Sequence, residues 1–427
     1  MRSKKTALVL MPLFWPDLPP LGLAMLKGYL SEKKVEVDCL DINNYFYSIA
    51  ADSLKKDWKK SCNDKLEVKI LDLLGEKYPD AFNRMLEKMS GYDVLGFSVY
   101  KSNKSTTLKT IEMVKEINCD VRIVAGGPEV TSEYFEKGVG LFAEYGNHGV
   151  DHLVVGEGEI PFHDYLRGTH QGSRISCFEE IPFSGDLPVP DFSDMEFSLY
   201  PKRKSVSIMF SRGCVRMCRF CAERMMHKKF RTYPVDNVLG QIEFHKGSGI
   251  ENFIFHDSML NADLSSFEEL LDGIINRFGS VKWEAQIAVR DDMSDSMFVK
   301  MKNSGCYHLF VGLESGSDKV LQRMGKGYDT VAAELFMRKL KGSGLSFGIS
   351  LIIGYPGESE QDFSENLDFI VSRKHLIPKI EQVNPFVMYR GTEMSVGGYD
   401  PVDDMEIRGR ICYFMDRMKK EKIKFTN

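Results

Sequence analysis

The chain has 427 residues, 43% of them hydrophobic and 27% charged, with a formal net charge of −5. That is an ordinary globular composition with room for two or three domains, and it gives no broad electrostatic reason to expect nucleic acid or anionic membrane as partner. No apolar run reaches the length of a membrane span, Met1-Arg2-Ser3-Lys4-Lys5 is followed by too short an apolar stretch for a signal peptide, and nine mostly scattered cysteines suit a reducing cytoplasm.

In chain order, residues 6–10 read as a buried strand and Pro20 to Tyr29 as the helix after it. Residues 35–40 give a second strand. A long helical insert follows, in which Phe82, Met85, Leu86 and Met89 repeat at helical spacing. Residues 94–98 form a third strand, and Leu108, Ile111, Val114 and Ile117 mark an amphipathic helix. Residues 121–125 run into Gly126-Gly127-Pro128, and residues 152–155 run into Gly156-Glu157-Gly158-Glu159. Strands alternating with helices predict an α/β domain with a doubly wound parallel sheet, whose ligand belongs at the carboxyl ends of the strands. There, Ser98, Gly126-Gly127 and Gly156-Glu157-Gly158 either let backbone approach a large flat or nucleotide-bearing ligand, or are simply tight turns.

Residues 168–205 change character, punctuated by Gly168, Gly172, Pro182, Gly185, Pro188, Pro190 and Pro201, as an interdomain connection would be. An apolar strand at residues 206–210 then leads into Ser211-Arg212-Gly213-Cys214-Val215-Arg216-Met217-Cys218-Arg219-Phe220-Cys221. Three thiols at spacings of four and three lack the fourth ligand of a structural zinc site. They suit a [4Fe–4S] cluster with one iron left open for a substrate, against the plainer reading of three thiols near a turn. Cys39, Cys62, Cys119, Cys177, Cys306 and Cys412 are expected to be buried small apolar residues.

This Cys-x-x-x-Cys-x-x-Cys loop, with Phe220 after the second cysteine, resembles the cluster loop of radical S-adenosylmethionine (SAM) enzymes. The resemblance implies that Cys214, Cys218 and Cys221 ligate the cluster, that the open iron chelates SAM, and that one electron, from a donor such as flavodoxin or ferredoxin, yields a 5′-deoxyadenosyl radical. The upstream domain is similar to the cobalamin-binding domain that precedes the core in cobalamin-dependent radical SAM enzymes, through Leu21-Gly22-Leu23-Ala24 and the Gly-Gly-Pro and Gly-Glu-Gly-Glu turns. Leu187 to Ser193 resembles the family's joining segment. The implied cobalamin-binding residues are Leu21, Gly22, Ser98, Gly126, Gly127, Pro128, Gly156, Glu157 and Gly158. Some cobalamin proteins carry Asp-x-His-x-x-Gly, whose His ligates cobalt. Here Asp151 and His152 are adjacent and Gly156 is at another offset, so no axial histidine is assigned.

After the loop, strands are predicted at residues 206–210, 252–256, 282–287, 307–313, 346–353 and 379–388, matching the partial (β/α)6 barrel that the family implies. In such a barrel the chemistry belongs at the carboxyl ends of the strands. Asp257 is a candidate for the SAM amino group or a helix N-cap. Gln286 shares a face with Ala288. Arg290 is a candidate for the SAM carboxylate, or a partner of Asp291 or Asp292. Glu314, in Gly312-Leu313-Glu314-Ser315-Gly316, has two acceptors for the ribose hydroxyls. Gly354 and Pro356, in a turn resembling the family's Gly-x-Pro-Gly-Glu, and Asn384 complete the expected SAM site with Phe220. The basic run from Arg224 to Arg231 reads as solvated surface rather than as a grip on an anionic substrate.

The expected organisation is a cobalamin-binding domain at 1–170, a linker at 171–205, a radical SAM barrel at 206–395 and a short helical tail at 396–427. The expected function is methyl transfer from SAM, through methylcobalamin, to an unactivated carbon of a small-molecule or peptide substrate, the cofactors carrying the hard chemistry. The alternative keeps the cofactors but performs an oxidative cyclisation or a rearrangement.

Overall fold

The computed structural model describes residues 4–60, 64–170, 172–178, 180–181, 188–397 and 403–426. Cys62, Pro182, Gly185 and Leu187 lie outside them. By contacts the chain divides into two units, Met1–Ser207 with Met225–Lys228, and Ile208–Arg224 with Lys229–Asn427.

The first unit is built on a six-stranded parallel sheet of β1 (Thr6–Leu10), β2 (Asp38–Asp41), β3 (Val94–Ser98), β4 (Arg122–Gly126), β5 (His152–Val155) and β6 (Ile175–Cys177), in the order β2-β1-β3-β4-β5-β6. The strands are short, and β1, β3 and β5 are almost wholly apolar and buried, as a sheet covered on both faces requires. The chain reverses its direction of travel across the sheet between β1 and β3, so the loops after these two strands flank the crevice where such sheets take ligands. Four helices between Ile42 and Ser90 fill the segment between β2 and β3. The last, Pro79–Ser90, buries Phe82, Met85, Leu86 and Met89 as its 3.6-residue period dictates. The expected linker begins differently, because Ile175–Cys177 pairs with β5 as an edge strand. Three residues are too few to show an alternation, which is why the sequence hid it.

A second parallel sheet consists of β7 (Ser205–Ile208), which runs through the boundary at Ile208, and of β10 (Asn252–Phe255), β11 (Lys282–Ile287), β12 (Cys306–Glu314), β13 (Phe347–Ile353) and β14 (Ile380–Pro385) of the second unit, ordered β14-β13-β12-β11-β10-β7. These are the six strands expected of the partial barrel. Between β7 and β10 lies a two-stranded antiparallel ribbon, β8 (Ser211–Arg212) with β9 (Arg231–Thr232). Along β10 and β11 one face is buried, with Phe255 and Trp283 meeting edge to face at 5.6 Å, while the other carries Glu284 and Gln286. Helices start on side-chain caps at Asp263, Ser294, Asp329 and Ser359, each satisfying an otherwise orphaned amide.

Three expectations about scattered thiols fail. Cys119 and Cys412 are exposed and Cys177 is only half-buried, whereas Cys39 and Cys306 are buried. Cys119 sits in the turn before β4 and Cys412 on the open face of the helix Asp404–Lys420, so neither position has a core to enter.

Candidate active site

The three-cysteine loop hangs from β8 and β9. Gly213 has φ +81°, and a Cβ there would stand 2.8 Å from the Lys229 carbonyl oxygen, so the two limbs approach closely enough to demand glycine. The root of the loop is fixed by Asp257 at the end of β10. Its Oδ1 accepts from the Ser211 amide and hydroxyl, each at 2.5 Å, and its Oδ2 from the Phe210 amide at 3.1 Å. Burial pushes this carboxyl up to about 6 even though those hydrogen bonds oppose the shift. The structure therefore gives Asp257 a task other than either expected one. It anchors the loop, and the N-cap of the following helix is Asp263.

The far limb is tied as firmly. The Arg219 amide donates to the Met324 carbonyl at 3.0 Å, and the Arg216 guanidinium donates to the carbonyls of Lys326 at 2.8 Å and Val289 at 3.0 Å. Cys214, Cys218 and Cys221 are unbridged and half-buried. Burial pushes the Cys221 thiol up to about 11 and raises Cys214 as well, with neighbouring Cys218 adding to both. The Phe220 ring packs on Val320, Met324, Tyr355 and Met394, meeting Tyr355 edge to face at 6.2 Å.

The other expected SAM residues stand at or just beyond strand ends, but in different states. Gln286 and Asn384 are exposed, and Asn384 donates to Gln382 at 3.1 Å. Glu314 occupies a left-handed backbone conformation, φ +67°, at a register shift between β12 and β13. One carboxylate oxygen is 3.2 Å from the Lys326 ammonium and the other 3.4 Å from the Ser350 hydroxyl. Arg290 spends its guanidinium inside the chain: it is bidentate to Asp292 at 2.8 and 2.6 Å, and donates to the carbonyls of Asn261 and Ala262 at 3.0 and 2.6 Å. With four of its five N–H groups so engaged, the Asp292 alternative is the one present. Gly354 and Pro356 are buried. A Cβ on Gly354 would meet Ile407 at 2.4 Å, so this glycine serves packing against the helix Asp404–Lys420 rather than approach to a ligand.

Sequence reasoning missed two groups. Lys326, the partner of Glu314, lies in a turn with no periodicity to flag it. His256 follows β10 and by register falls beside Gln286. The residue is solvent-exposed. The alternation along β10 was the available signal.

In the first unit the expected cobalamin residues gather at the carboxyl ends of β3, β4 and β5 and at the start of the helix Leu21–Glu32. Ser98, Gly126, Gly127, Pro128, Leu21, Gly22 and Gly158 remain partly or fully accessible, whereas Gly156 and Glu157 are buried. Glu157 is engaged within the protein: its carboxylate accepts from the Ile181 amide at 3.0 Å and stands 2.8 Å from His227 Nδ1. The same pair shows that the basic run after the cysteines is not merely solvated surface. Met225 is buried and the Lys228 amide donates to Glu180 at 2.5 Å. His152 lies at the amino end of β5, away from the ligand side, with Nε2 3.0 Å from the Ser176 hydroxyl.

Comparison with known proteins bears on both units. The radical SAM superfamily profile matches residues 208–370, and the B12 binding domain profile matches residues 49–166. The chain joins a B12 binding domain to a radical SAM domain, in that order. It is 24% identical over 327 residues to an uncharacterized methyltransferase of Pyrococcus horikoshii, covering 71% of this chain and 69% of that one. It is 24% identical over 373 residues to the anaerobic magnesium-protoporphyrin IX monomethyl ester cyclase of Rubrivivax gelatinosus, covering 81% and 61%. This radical SAM protein spans about half the length of several other curated relatives that it matches. In fold it is similar to the radical SAM methyltransferase TsrM of Kitasatospora setae, with a TM-score of 0.67 at 15% identity over 92% of this chain and 74% of that one. Its cofactors are a [4Fe–4S] cluster, SAM and cobalamin. The residues present suit these groups. Three neighbouring unbridged thiols are the donor set of a site-open cluster, and, because each thiolate bonds a different iron, they need not converge as ligands of one ion do. Among the described residues no three side chains converge in that single-ion manner. On the corrin side, small accessible residues line the loops beside the crevice between β1 and β3.

Proposed function

We propose that this protein is a C-methyltransferase acting on an unactivated carbon of a small-molecule or peptide substrate. The observation that carries the reading is the union of a B12 binding domain with a radical SAM domain bearing an open three-thiol loop, in a chain similar to a methyltransferase. When bound, the cofactors supply hydrogen abstraction from carbon and a transferable methyl group. The protein's part is to hold and orient. Cys214, Cys218 and Cys221 would ligate three irons, on a loop tied at its root by Asp257 and further along by Arg216. Gln286 and Asn384 offer accessible amides, and Glu314 offers acceptors already turned by Lys326, for the polar groups of SAM. Ser98, Gly126 and Gly127 would lie under the corrin. Such fixation counts because orientation alone can account for a large part of a barrier.

The test is to incubate reconstituted protein with SAM carrying an isotopic methyl group, a reductant and candidate acceptors. Label in the product and formation of S-adenosylhomocysteine are expected. A second reading, oxidative cyclisation, is favoured by the similarity to the cyclase over 373 residues. It predicts product without the label.

A further inference from the structure

Trp15 stands in the loop Met11–Pro20 that follows β1, with 47% of its surface exposed. A single exposed indole needs no explanation in itself, but its setting does. The loop flanks the crevice at the reversal point of the sheet, where ligands of such folds bind. It is also laced to the loop after β3, the other wall of that crevice. The Leu13 amide and carbonyl pair with Ser102, Asn103 Nδ2 donates to the Met11 carbonyl at 3.2 Å, and the Phe14 and Tyr100 rings lie 4.5 Å apart. On the other side the Phe14 amide donates to Asn43 at 2.8 Å, and the Phe14 carbonyl accepts from Trp58 at 3.3 Å. Asp17 pairs with Lys59 at 2.7 Å. The residues bracketing Trp15 are thus held on both sides, while the indole itself has no hydrogen bond or ring contact among the described residues. A fixed backbone that leaves a large apolar ring half open to water gains the rest of its burial only when a ligand covers it.

We propose that Trp15 lies against the corrin macrocycle of bound cobalamin, forming the apolar wall of the site on the β1 side. The proposal rests on the first unit's taking cobalamin. It asks of the indole only contact and exclusion of water, and no proton or electron moves through it.

The experiment uses the full chain, hydroxocobalamin, and acrylamide quenching of tryptophan emission. Trp58 and Trp283 are buried, so Trp15 is the tryptophan open to acrylamide. Corrinoid retained after gel filtration is measured by absorbance in the same samples. Saturation with hydroxocobalamin is expected to cut the quenching slope of the unsubstituted chain by about half, while Trp15→Phe, lacking that indole, shows a low slope in both states. Trp15→Ala is expected to weaken hydroxocobalamin binding about tenfold, and Trp15→Phe by less. Stoichiometric corrinoid with the indole as open as before, or equal affinity in Trp15→Ala, overturns the proposal alone. No corrinoid retained by the unsubstituted chain overturns the cobalamin reading and this proposal together.

Discussion

Asp257 holds Ser211 through two hydrogen bonds of 2.5 Å to one carboxylate oxygen, from the Ser211 amide and from its hydroxyl. The strand end of β10 thereby governs the loop that carries the three cysteines. Asp257→Ala strands two buried amides without acceptors, at a cost of about 1–3 kcal/mol. The variant is expected to fold with a lowered melting midpoint and to take up less iron and sulfide on reconstitution, read as iron per chain. Full iron content would show that the loop does not need this anchor.

Gly213 should tolerate nothing larger. Gly213→Ala combines a left-handed φ of +81° with a 2.8 Å approach to the Lys229 oxygen. Iron incorporation is expected to fall more steeply than for Gly240→Ala, where the added Cβ would point into open space. Equal incorporation in the two variants would refute the close-approach argument.

Glu314 and Lys326 form a pair whose side chains are only 13% and 11% exposed. Lys326→Met leaves the carboxylate unpaired in that setting, and is expected to cost about 3 kcal/mol in urea unfolding. Lys326→Met combined with Glu314→Gln should recover most of the loss, because the stranded charge is gone. A double variant no more stable than the single one would mean that the pair is not what holds this turn.

His152 gives a pH signature free of any cofactor. Burial, with His170 adding, lowers its pKa from 6.5 to about 4. The unfolded chain therefore binds the proton more tightly than the folded one. The stability this group contributes is present above about pH 6.5 and lost as pH falls towards 4. His152→Gln should flatten that part of the stability profile while leaving hydroxocobalamin retention unchanged. Lost corrinoid or an altered cobalt spectrum in a folded variant would make His152 a ligand after all.

How much of this was legible beforehand depended on the kind of signal. The six barrel strands were readable because runs such as 282–287 alternate polar and apolar residues or are apolar throughout and are bounded by turns, and the helix around Phe82 to Met89 because its period is unmistakable. The edge strand Ile175–Cys177 was not; Arg290 stayed open between SAM and an aspartate, and Gly354 was expected to face a ligand, because their partners, Asp292 with Asn261 and Ile407, are chosen by chain trajectory.

What the sequence determined by itself was local chemistry and order: three thiols at a spacing that one loop can present, small residues after parallel strands, and two α/β patterns in succession. What only the tertiary structure decided was which of those side chains remain available. Asp257, Arg290 and Glu157 satisfy buried donors or charges elsewhere in the fold, while Gln286, His256 and Trp15 are left open. The reason is that a polar group's partner is set by desolvation and proximity in three dimensions, and a linear spacing encodes neither.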